Sequence, residues 1–131
     1  LDNLAPCEQD RDCCGESVCD TTQKICLRVL SDRNAKANFG SIDPGDMLER
    51  VRGLPITTWN YRSDDASIRH IGPMAQDFAA AFGVGSDERT IHPMDGQGVA
   101  LAAIQGLAGQ VAALQAEQAR LIARIADLEA R

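Results

Sequence analysis

Large side chains are scarce in this chain. Its 131 residues include one tryptophan, one tyrosine and three phenylalanines, so aromatics make up 4%. A middle segment of about 68 residues, 31–98, can build only a thin core from so few, and small domains of that kind are marginal alone. Help from oligomerisation is therefore expected. Basic runs are also missing. The net charge is −6, and acids outnumber or match bases in every third of the chain. That argues against a nucleic-acid groove or a polybasic membrane patch. No run of about 18 purely apolar residues occurs, so no membrane span is expected. The first residues lack the basic-then-apolar order of a signal peptide. His70 and His92 stand without carboxylates at ligand spacing, so neither a metal nor a cofactor is expected.

What is present falls into three pieces, residues 1–30, 31–98 and 99–131. In the first, Cys7, Cys13, Cys14, Cys19 and Cys26 crowd into "PCEQDRDCCGESVCDTTQKIC". Turn-forming Asp, Gly, Ser and Thr lie between them. This reads as a small disulfide-stapled knot made in an oxidising compartment. Zinc is the competing reading, but there is no Cys-x2-Cys pair and no nearby histidine. Two bridges leave one thiol over. Adjacent Cys13 and Cys14 are poor partners for each other, because a disulfide needs a larger Cα separation than one peptide step. The spacing Cys-x5-Cys-x-Gly-x3-Cys-x6-Cys resembles short bacterial extracellular repeats, with Cys14 as the extra.

The middle piece is α+β in pattern. "DPGDMLERVRGL" offers Asp43 as N-cap, Pro44 at the first helical position and Gly53 as a stop, with Met47, Leu48, Val51 and Leu54 on one face. "PITTWNYR" alternates and predicts a strand over 56–62, with Trp59 and Tyr61 on its buried face. "IRHIG" predicts its hairpin partner. "PMAQDFAAAFG" predicts a helix started by Pro73 and ended by Gly83. Residues 84–95 read as loop, with "HPMDG" as turn chemistry and His92 solvated.

In the third piece apolar residues recur in alternating steps of three and four. Ile104, Val111, Gln118 and Ile125 take the a positions, and Leu107, Leu114, Leu121 and Leu128 take d. That is a coiled-coil seam with one polar layer. Arg124 at g and Glu129 at the following e could pair between parallel chains. The alternative is one amphipathic helix packed on its own domain. Gly106 and Gly109 each cost about 1 kcal/mol relative to alanine in a helix, so packing must compensate. The a and d residues do not settle the number of chains.

Ser31 and Lys36 in "SDRNAKANF" pose a separate question. A serine hydroxyl needs a base before it attacks anything. Lysine is that base only if its pKa drops from about 10.4 to about 7–8, which takes about 4 kcal/mol of desolvation or like charge. By spacing alone, a solvated turn is the default.

Four segments then occur in order: "SDRNAKANF", "LPITTWNY", "IRHIGPMAQDFAAAFG" and "DGQGVALAAIQGL". Together they resemble the self-cleaving intramolecular chaperone domain that ends phage tailspikes, endosialidases, tail fibres and some bacterial surface fibres. The resemblance covers residue 31 to about 110 and then the coiled coil. It implies a parallel homotrimer that helps an upstream fibre region of the same chain to fold and then cuts itself free at Leu30–Ser31, in a phage virion or outside a bacterial cell. It implies Ser31 as nucleophile, Lys36 as general base, and Asp32 and His70 in supporting places. The rival expectation is an uncleaved trimeric tip of a surface fibre or adhesin. A transcription-factor precursor, another context for such domains, lacks support without a basic segment or a membrane span.

Overall fold

A computed structural model describes Pro6, Val18–Asp20, Ile25–Leu27 and residues 31–131. The chain forms two compact units, residues 1–41 and 42–131.

In the first unit, β1 (Val18–Asp20) pairs antiparallel with β2 (Ile25–Leu27), and Cys19 sits opposite Cys26. Cys26 is fully buried and disulfide-bonded. Cys7, Cys13, Cys14 and the side chain of Cys19 lie outside the described residues, and so does the connectivity of the expected knot. A single 3-10 turn follows at Arg33–Ala35.

The second unit opens with α1 (Pro44–Gly53). Asp43 caps it by accepting from the Gly45 and Asp46 amides, Pro44 takes the first turn, and the helix ends on Gly53. Leu48 is its buried residue, flanked by half-buried Met47, Val51 and Leu54. The hairpin pairs β3 (Thr57–Trp59) with β4 (His70–Gly72), in the register Thr57–Gly72, Thr58–Ile71 and Trp59–His70. Both strands are shorter than the alternation suggested. Asp65 and Asp87 tie the exposed loops by accepting from Ser67 and from Arg89 and Thr90. In each case the backbone donor comes first, and these bonds hold both carboxyls below the usual aspartate range.

Helix α2 (Ala75–Phe82) ends on Gly83, whose φ of 62° is left-handed. Pro73 does not start it: Met74 is the N-cap, so the proline stands one residue outside. Phe78 is buried and stacks on Phe82 with centroids 4.8 Å apart. Arg50 Nη1 donates to the Ala81 carbonyl at 2.7 Å, filling one of the open acceptors of the last turn and tying α1 to α2.

Helix α3 runs from Pro93 to Glu129. It takes in "PMD", the end of what reads as loop in the sequence. His92 is its N-cap and accepts at Nδ1 from the Met94 amide at 3.1 Å, so this histidine is half-buried and bonded rather than solvated. Proline at the first position and Asp95 in the first turn complete a regular helix start. Helix α1 packs on α3. The approach is close at Gly106, where a Cβ would run into the Pro44 carbonyl and stand 3.1 Å from Leu48 Cβ. Ala102, Ala103 and Gly106 are buried, and they lie on a face beside the a/d seam. The seam stays open: Ile104, Leu107, Val111, Leu114, Leu121, Ile125 and Leu128 are all exposed, as is Gln118.

By length and composition α3 could cross a membrane, since one 18-residue window has mean hydropathy 1.4. Two features argue against that role. The same helix carries α1, with its Asp46, Glu49, Arg50 and Arg52, and Gln105, Gln110 and Gln115 lie off the apolar seam.

Candidate active site

Ser31 and Lys36 are five residues apart. Fully extended, that separation is roughly 17 Å between Cα atoms, beyond the combined reach of the two side chains. The 3-10 turn removes most of it. The Ala35 amide donates to the Asp32 carbonyl at 3.1 Å and the Lys36 amide to the Arg33 carbonyl at 3.3 Å, both i to i+3 bonds. Asp32, extended at φ −64° and ψ 133°, caps the turn: its Oδ1 accepts from the Asn34 amide at 2.9 Å and from Asn34 Nδ2 at 3.2 Å. The chain returns, and Lys36 Nζ donates to Ser31 Oγ at 2.6 Å. Just beyond, Asn38 takes a left-handed φ of 56°, which asparagine tolerates better than most residues.

All of residues 31–40 are exposed in the single chain. Among the described residues no carboxylate stands within ion-pair distance of Lys36. The arrangement is thus a hydroxyl and an amine in direct contact, with solvent around them. A neutral lysine at this distance would accept the hydroxyl proton, while a charged one donates instead.

His70 belongs to the second unit. It stands opposite Trp59, with ring centroids 4.8 Å apart, and 5.5 Å from the Tyr61 ring. Its Nε2 lies 3.6 Å from Asp64 Oδ2, and that same carboxylate oxygen accepts from the Tyr61 amide at 3.3 Å. His70 is therefore packed into the end of the hairpin. Trp59 is half-buried, but Tyr61 is 58% exposed, so the two do not form the buried face that their alternation suggested. The strand ends at Trp59, and Tyr61 lies in the turn beyond it. A groove of about 630 Å³ runs beside them, lined also by Met74, Gln76, Arg89 and Thr90.

Residues 31–84 match the family model Peptidase_S74, described as chaperone of endosialidase. The match begins at Ser31. This segment is similar to chaperone-of-endosialidase domains. Among curated proteins, none matches the chain. The family name pairs a serine-type peptidase with a chaperone, and it agrees with the resemblance carried by the sequence motifs. The matched segment contains Ser31, Asp32, Lys36 and His70, while the seam of α3 lies beyond it.

Proposed function

We propose that this chain trimerises an upstream fibre or tailspike-like region through its chaperone domain and α3, and then cuts itself at Leu30–Ser31. Its setting would be a phage virion or the outside of a bacterial cell. The observation that carries the reading is the 2.6 Å contact of Lys36 Nζ with Ser31 Oγ at the first residue of the matched domain. Ser31 Oγ attacks the carbonyl carbon of Leu30 and gives its proton to Lys36 Nζ. The Leu30–Ser31 C–N bond breaks, and the Ser31 amine takes the proton from Lys36. The Leu30 acyl group is left as an ester on Ser31 Oγ, and water hydrolyses it. Nucleophile and carbonyl share one chain, so proximity supplies much of the rate. One chain leaves Lys36 in solvent. Association along the exposed apolar residues of α3 is the source of burial that this reading calls upon.

Denaturing gels and intact mass of the 131-residue chain test it. The expected product begins at Ser31, and Ser31→Ala removes it. Ultracentrifugation should give a trimer for both proteins. The same bands with and without Ser31 would sink the peptidase reading. An uncut trimer would favour a structural fibre tip instead.

A further inference from the structure

We infer that Asp32 is a positioning residue for the Ser31–Lys36 pair, acting as a hydrogen-bond cap and not as a charge. The inference rests on the self-cleavage reading and adds the device that sets the pair. Asp32 Oδ1 is occupied twice by Asn34, once through its amide and once through its side chain. Among the described residues Asp32 has no ion pair with Lys36. A carboxylate beside the amine would stabilise the ammonium form, which is the wrong form for a base. Turned away and bonded to Asn34, Asp32 instead fixes the 3-10 turn that carries Lys36 back to Ser31. Any side chain that accepts from the Asn34 amide serves that purpose, so the requirement is for a cap and not for an acid.

The test follows cleavage of the full chain during timed cell-free synthesis, with Ser31→Ala as the uncut control. Asp32→Asn and Asp32→Ser both retain an acceptor and should cut within about twofold of the native chain. Asp32→Ala should be about fivefold slower. At 1.36 kcal/mol per tenfold that is about 1 kcal/mol, the size of a lost cap. The pH at which cutting reaches half its plateau should stay in place in Asp32→Asn. Were the charge at work, its removal would move that midpoint toward acid by about one unit or more. Asp32→Asn as slow as Asp32→Ala, or Asp32→Ala as fast as the native chain, overturns the inference. A readout independent of cutting is the NMR shift of the Asn34 amide in the Ser31→Ala chain, which should follow titration of the Asp32 carboxyl. An unmoved Asn34 amide also overturns the cap. A native chain that is never cut counts against the peptidase reading, and the Asn34 shift still decides the cap.

Discussion

The turn at residues 31–36 and the seam of α3 are both exposed in a single chain, but they are built from opposite materials. The turn is polar, and hydrogen bonds over short sequence distances hold it. Water tolerates it as it stands. The seam is a row of Ile, Leu and Val, which water disfavours. Within a single chain, one region has its geometry in an exposed setting, and the other presents an exposed apolar surface. In this reading the chemistry waits on the assembly.

The strongest way to break the comparison is to damage the turn and leave the seam alone. Lys36→Met should slow cutting by about 10²- to 10⁴-fold, the usual contribution of a positioned general base. The trimer mass should not change. Timed gels and ultracentrifugation of the same sample read both. A fast-cutting Lys36→Met chain would assign the proton to another group.

The reverse experiment damages the seam and keeps the turn. Leu114→Asp with Leu121→Asp places charges at two successive d positions and should give monomers in ultracentrifugation. Cutting should then slow by at least tenfold, although neither residue belongs to the matched domain. Unchanged cutting by a monomer would separate the two regions and remove the need for burial by association.

How far the sequence announces these features depends on how local each cause is. Helix α1 was legible because Asp43, Pro44 and Gly53 act within a turn of themselves. The left-handed end of α2 was legible from Gly83 for the same reason. The start of α3 was not, because Gly96 and Gly98 weigh against helix, and the His92 cap with Pro93 behind it is a weaker signal than a Ser or Asp cap. The strand at Trp59 is readable, but Tyr61 lies past its end, since alternation does not say where pairing stops. Ser31 and Lys36 stand out through the motif "SDRNAKANF" and its resemblance. Spacing alone could not bring them together, because five residues meet or miss according to whether a 3-10 turn forms. Two backbone bonds close that turn, and Asp32 Oδ1 caps it. Eleven of the 13 Lys and Arg residues are arginine, which does not lose its proton in proteins, and that makes Lys36 a more pointed choice than its spacing suggests.

The smallest effects sharpen the account of the seam, through two glycines three residues apart on α3. As helix residues alone, Gly106 and Gly109 each forgo about 1 kcal/mol against alanine. Their surroundings differ. A Cβ at Gly106 meets the Pro44 carbonyl and lies 2.8 Å from its carbon, while at Gly109 nothing stands within 4 Å. Backbone in α1 cannot yield as a flexible side chain would, and overpacking costs about 1–3 kcal/mol. Gly106→Ala should therefore lower the melting temperature, because the clash with backbone outweighs the helix gain. Gly109→Ala should raise it by a few degrees, measured in Ser31→Ala chains so that cutting does not intervene. Gly109 falls at the f position of the heptad, outside the a/d seam, so trimer formation should not reverse that sign. A fall in melting temperature for Gly109→Ala would mean that another chain's backbone comes close there, and the seam would have to be redrawn around Gly109 rather than along Leu107 and Val111.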